Sequence, residues 1–144
     1  MSYILKRYLS KSIDETNDIG FEIAKTIKPG FAINIVGNLG SGKTALCASI
    51  IKNLGVTATV TSPTYPILNE YYTNSLSIFH FDFYRLQSYH EFYDSGFEEK
   101  FNKNSICFVE WNSKIEEVAI KFNIMIELVF LKNNERNIYI KNNN

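Results

Sequence analysis

Residues 37–44 read Gly-Asn-Leu-Gly-Ser-Gly-Lys-Thr, and no other segment restricts the fold of this chain as much. The pattern G-x-x-x-x-G-K-[ST] works as a phosphate cradle only when a strand delivers it and a helix leaves it. Successive backbone N–H groups then turn inward onto phosphate oxygens. Glycine at 37, 40 and 42 permits the torsions and the close approach this needs. Both flanks comply. Residues 31–36 form an almost continuous apolar run, as a strand buried on both faces should, and residues 43–54 read as a helix closed by Gly55 at its C-cap. The loop residues Gly37, Gly40, Ser41 and Gly42 are expected to bind phosphate. Lys43 is expected to reach the β- and γ-phosphates as a point charge, and Thr44 to place its hydroxyl on Mg²⁺. The amides of Thr44 and Ala45, at the helix N-terminus, should meet phosphate too.

A P-loop needs a second acid near the metal, at the end of a buried strand. Two positions qualify: Asp82 closes the run Ser-Ile-Phe-His-Phe, and Glu110 closes Ile-Cys-Phe-Val. One should serve Mg²⁺ directly or through water, and the other should orient or deprotonate an attacking water. His80 alternates with Phe79 and Phe81, which favours a hydrogen-bonded structural histidine over a catalytic base. His90 reads as surface. Trp111 has two readings, stacking on a base or a core or partner contact. Thr61-Ser62-Pro63-Thr64-Tyr65 also has two, a γ-phosphate sensor or a proline-fixed turn entering a strand.

Around these residues the pattern is α/β. Residues 3–9 read as a first strand. Ser12 and Glu15 have the form of a capping box, opening a helix with Ile19, Ile23 and Ile27 on one stripe. Pro29-Gly30 ends it. Residues 65–72 and 77–83 suggest a hairpin across 73–76. Short helices are expected at 89–93 and 98–101, a buried strand at 105–109, and a helix or loop at 115–121. Strands at 123–131 and 137–141 close the chain across the turn 132–135, and the tail 141–144 is expected to fray. The ordering predicts one P-loop domain over residues 1–144, a mostly parallel sheet with helices on both faces and antiparallel additions.

Composition narrows the function further. Fifteen basic residues balance fifteen acidic ones, so nothing pulls the chain toward nucleic acid or an anionic membrane at long range. Cys47 and Cys107 have no metal or redox spacing and read as buried free thiols in a reducing compartment. No apolar run reaches transmembrane length, and a cytoplasmic protein is expected. The guanine-reading N-K-x-D is approached only by Asn-Lys-Asn-Ser at 102–105, which lacks the aspartate and argues for adenine. Arg7, Arg85 and Arg136 are the only arginines. Three scattered arginines suit slow hydrolysis better than a kinase clamping two phosphorylated substrates. A small-molecule kinase and a nucleotide-gated binding module with negligible turnover stand as alternatives.

The ordered set then becomes specific. The P-loop is followed by Ser62-Pro63-Thr64-Tyr65, by His80-Phe81-Asp82-Phe83-Tyr84-Arg85-Leu86, by Glu91, Gly96 and Glu98-Glu99, and by Val109-Glu110-Trp111. Over roughly residues 3–140 this resembles the TsaE (YjeE) family of bacterial tRNA threonylcarbamoyladenosine biosynthesis. The resemblance implies a P-loop ATPase that binds ATP and Mg²⁺ and hydrolyses ATP slowly. It implies action with TsaD and TsaB, which place the threonylcarbamoyl group on the adenosine next to the anticodon, with tRNA held through that complex. By position it implies phosphate binding by Lys43, Mg²⁺ binding by Thr44 and Glu110, a hydrolytic role for Asp82, and places near the nucleotide for Ser12 and Arg136. Three departures stand out. Asn38 replaces an aspartate, Asn112-Ser113-Lys114 replaces a proline-containing stretch, and Glu135-Arg136 replaces Gly-Arg.

Overall fold

The computed structural model describes residues 3–61 and 67–142. The Ser62-Pro63-Thr64-Tyr65 segment lies outside the described residues. In chain order the elements are β1 (Tyr3–Ser10), α1 (Ile13–Ala24), β2 (Ala32–Val36), α2 (Lys43–Asn53), β3 (Leu68–Tyr72), β4 (Ser77–Asp82), α3 (Tyr89–Asp94), β5 (Ser105–Glu110), β6 (Ile124–Phe130) and β7 (Arg136–Asn142). Short 3-10 turns occupy Phe83–Arg85, Phe97–Lys100 and Asn112–Ile115.

All seven strands join one sheet in the order β1-β7-β6-β2-β5-β4-β3. The four central strands, β6, β2, β5 and β4, run parallel. Antiparallel β7 and β1 extend one side and antiparallel β3 the other. The expected α/β sheet with antiparallel additions is the one observed.

The period-2 alternation of the strands divides the core into two layers. Ile33, Ile35, Ile78, Ile106 and Phe108 point to one face and pack against Ile19 and Ile23 of α1 and Leu46 and Ile50 of α2. Ala32, Phe79, Phe81, Cys107 and Val109 point to the other, against Phe83, Phe92 and Ile115. Helices therefore cover both faces, the two long ones together on the first.

Helix α1 starts on Ser12, whose side-chain oxygen accepts from the Glu15 N–H at 3.1 Å. The reciprocal arm of the box differs from expectation: the Glu15 carboxylate takes the N–H of Lys11 rather than that of Ser12. The tail also differs. Lys141 and Asn142 pair with Ile4 and Tyr3 on one side and with Met125 and Ile124 on the other, so ordered pairing reaches two residues into the segment expected to fray. Strand β4 stops at Asp82, because that carboxylate caps the 3-10 turn beginning at Phe83.

Helices α1 and α2 approach most closely at Gly20. A Cβ there would lie 2.2 Å from Ser49 Oγ, an oxygen already donating to Asn17 O at 2.8 Å. Gly20→Ala is therefore expected to destabilise the chain by about 1–3 kcal/mol, the usual cost of overpacking. Urea unfolding checks it, and an unchanged midpoint would mean that the helices separate freely.

Candidate functional site

The C-terminal ends of parallel strands β2, β4 and β5 lie side by side. Register pairs Ile35 with Glu110 and Glu110 with Asp82, so Glu110 ends the strand next to the one that feeds the glycine loop and Asp82 ends the strand beyond it. Ligands of open α/β sheets bind at this edge.

The loop closes on itself tightly. A Cβ at Gly37 would meet Ser41 Oγ at 2.6 Å and Leu128 O at 3.0 Å. Gly42 caps α2 with φ at +98°, and a Cβ there would lie 2.1 Å from Arg136 Nη1. At Gly37 the Leu128 carbonyl leaves no room for a side chain, and at Gly42 the left-handed torsion strains any residue but glycine. The Ser41 N–H is committed to Asn38 O at 3.1 Å, while its Oγ is buried with no partner among the described residues. The first N–H groups of α2, on Lys43, Thr44 and Ala45, have no acceptor within the helix. A loop too tight for a side chain at Gly37, free helix-terminal amides and an unpaired buried hydroxyl fit a bound phosphate. Thr44 is exposed and Ala45 half-buried in this first turn.

Lys43 is 7% exposed, and its Nζ donates to Gly37 O at 2.5 Å, across the mouth of the loop. The ammonium also sits over the Trp111 ring, 4.2 Å from its centroid. Trp111 holds this place with a left-handed backbone, φ 60°, and meets Tyr84 edge-on at 5.1 Å. The ring thus contacts neighbouring side chains, which accords with one of its two expected readings. Burial lowers the Lys43 pKa, and the charges of Glu110 and Asp82 work against that.

The acids are held differently. Glu110 is 3% exposed, and its Oε2 lies 2.7 Å from Nε2 of His80, itself 1% exposed. The expected hydrogen-bonded His80 is thus observed, with an acid of the site as its partner. Asp82 accepts the Tyr84 N–H at 3.0 Å. Its pKa is raised by burial, opposed by that N–H, with Glu110 adding to the rise. Cys47, one helical turn after Lys43 on α2, closes the cluster from above, its thiol pushed well up by burial. Spacing alone gave no sign of this third neighbour.

On the opposite flank, Arg136 Nη1 donates to Ser41 O at 3.3 Å. Register pairs Ser10 with Arg136, which brings the Ser12 end of β1 to the same corner. The Ser12 hydroxyl itself is committed to capping α1. His90 and Arg85 are exposed, as is Arg7 on β1.

The family model described as Threonylcarbamoyl adenosine biosynthesis protein TsaE matches residues 10–138 of this chain. The tRNA threonylcarbamoyladenosine biosynthesis protein TsaE of Rickettsia typhi is 37% identical over 131 residues, covering 90% of this chain and 90% of that protein. Its namesake from Bacillus subtilis is 35% identical over 125 residues, covering 87% and 78%. Among solved structures, the crystal structure of Bacillus subtilis YdiB superposes with a TM-score of 0.81 at 29% identity, covering 99% of this chain and 87% of that one.

Proposed function

Because the chain belongs to the TsaE family of threonylcarbamoyl adenosine biosynthesis proteins, we propose that it binds ATP with Mg²⁺ and hydrolyses it slowly in support of a TsaD–TsaB assembly. That assembly modifies the adenosine next to the anticodon of tRNA. The work is cytoplasmic, and tRNA is held through the complex. Among the described residues no helix is long and apolar enough to cross a membrane.

One observation carries the ATPase reading: Lys43 crosses the mouth of a glycine loop at the strand ends where Asp82 and Glu110 lie paired. The loop amides and Lys43 bind phosphate. Arg136, fixed on Ser41 O, and Ser12 at the same corner flank the nucleotide. Thr44, with Glu110 or Asp82, would hold Mg²⁺, which when bound neutralises charge on the phosphates. Asp82 orients or deprotonates the attacking water. His80 and the Tyr84 N–H keep the two carboxylates in place.

Radiolabelled ATP turnover measured with and without TsaD- and TsaB-type partners tests this. Turnover is expected to be slow alone and to change when both partners are present. Turnover that ignores both partners would count against the assembly role.

A second reading rests on a cavity of about 430 Å³ beside Lys43, lined in part by Asn34, Trp111, Asn112, Glu116 and Glu127. A small-molecule kinase would put its phosphoryl acceptor in such a place. Transfer of the γ-phosphate to an added metabolite, rather than to water, would favour it.

A further inference from the structure

Cys47, His80 and Glu110 bring three different ligating groups to one buried point. A thiol sulfur, a ring nitrogen and a carboxylate oxygen, one from each, all lie within 4.8 Å of one another. Three separate elements, α2, β4 and β5, supply them, at 0%, 1% and 3% exposure. Through Nε2, His80 already faces the Glu110 carboxylate at 2.7 Å, both side chains being almost wholly buried. Mixed sulfur, nitrogen and oxygen donors suit zinc-class ions. Mg²⁺ instead takes oxygens in an octahedron.

The geometry points to a site for a thiophilic divalent cation, Zn²⁺, held by Cys47, His80 and Glu110 with a fourth position open. Thr44 and Asp82 have no part in it, so it differs from the Mg²⁺ position proposed above, although both claim Glu110. On binding, Cys47 gives its thiol proton to solvent. The imidazole coordinates in its neutral form, through one nitrogen with its single proton on the other. Glu110 enters as the carboxylate. Thiolate and carboxylate cancel the double charge of the ion, which suits a nearly dry place beside Lys43. Tetrahedral zinc with bonds of about 2.0–2.3 Å needs donors about 3.3–3.8 Å apart, so the His80–Glu110 contact of 2.7 Å opens slightly on binding. An ion held here withdraws Glu110 from the phosphate site, so zinc inhibits turnover. That consequence rests on the function proposed above, whereas the binding itself does not.

Co²⁺ serves as the spectroscopic probe for Zn²⁺, added to the full chain in excess Mg²⁺. The expected result is a thiolate-to-cobalt charge-transfer band saturating at one equivalent, displaced by Zn²⁺ and not by Mg²⁺. The band should vanish in Cys47→Ser and persist in Cys107→Ser and His90→Ala. Cys107 is the matched control, an equally buried thiol on the opposite face of β5. Absence of the band in the wild-type chain, or its survival in Cys47→Ser, overturns the proposal. Zinc-edge X-ray absorption on the wild-type chain gives an answer independent of any variant: a first shell without sulfur overturns it equally. In the ATP assay, Zn²⁺ should cause loss of wild-type turnover and spare Cys47→Ser. Equal inhibition of both chains overturns the inhibitory role. Cobalt bound through Cys47 in a chain that hydrolyses no ATP would overturn the ATPase reading and leave the metal site standing.

Discussion

Asp82→Asn is expected to keep ATP binding and to lose hydrolysis by about two to four orders of magnitude, the range for removing a positioned acid–base group. The substitution is nearly isosteric. An asparagine Oδ1 still accepts the Tyr84 N–H that Asp82 accepts at 3.0 Å, so the 3-10 turn after β4 keeps its cap. The proposed phosphate contacts come from the loop, from α2 and from Lys43, and Asp82 makes no hydrogen bond to any of them. Calorimetric ATP titration and single-turnover hydrolysis separate the two effects. Hydrolysis at the wild-type rate would exclude the role assigned to Asp82.

The same change has an opposite consequence for stability. Burial raises the Asp82 pKa above the ordinary 3.8, against the Tyr84 N–H and with Glu110 adding to the rise. The folded chain therefore holds this proton more tightly than the unfolded chain does. Below the unfolded pKa the group costs nothing. Between the unfolded and the raised folded value, stability falls as pH rises, and above the folded value the cost is constant. Asparagine never ionises, so it escapes the cost. In the nucleotide-free chain at neutral pH, Asp82→Asn should be more stable than wild type in urea. The advantage should shrink as pH falls through the raised folded pKa and be gone below about 4. A variant less stable at neutral pH would show that burial of Asp82 is compensated.

Local pattern made much of this legible. The strand before the loop, the helix after it and the acids closing two apolar runs follow from adjacent residues and period. All four features stand where the sequence placed them. What was not legible depends on contacts far apart in the chain. Arg136 reaches Ser41 across 95 positions, and only the pairing of β1 with β7 brings the Ser12 corner to it. His80 could be read as hydrogen-bonded, but its partner depends on β4 and β5 being parallel neighbours in a particular register. Cys47 read as an inert buried thiol because its neighbours come from other strands. Trp111 adopts φ 60°, a torsion no local residue pattern announced, and this conformation accompanies its place beneath Lys43. Lys141 looked like tail until two partner strands held it.

Lys43→Ala is expected to weaken ATP binding by about 10- to 100-fold, the worth of a charge-assisted hydrogen bond of about 1.5–3 kcal/mol. The ammonium is nearly buried and aimed across the loop at Gly37 O, so little reorganisation is needed for it to meet a phosphate oxygen. Burial lowers its pKa while Glu110 and Asp82 hold the charge on it. Trp111, the only tryptophan in the chain, lies directly under that charge. Its emission should change when phosphate draws the ammonium off the ring, and the change should be absent in Lys43→Ala. Because the substitution removes the quencher as well as the ligand contact, affinity must come from calorimetry, with Trp111→Phe as the control for the ring. Lys43→Arg should not restore binding, since a planar fork cannot replace a compact ammonium between Gly37 O and the indole. Wild-type affinity in Lys43→Ala would remove the loop from the proposed site. The two variants are also linked. Without Lys43 the neighbouring carboxylates of Asp82 and Glu110 lose their shared counter-charge, so Lys43→Ala should destabilise the nucleotide-free chain. Adding Asp82→Asn should then recover more stability than it does in the wild-type background, a non-additivity a double-mutant cycle measures directly.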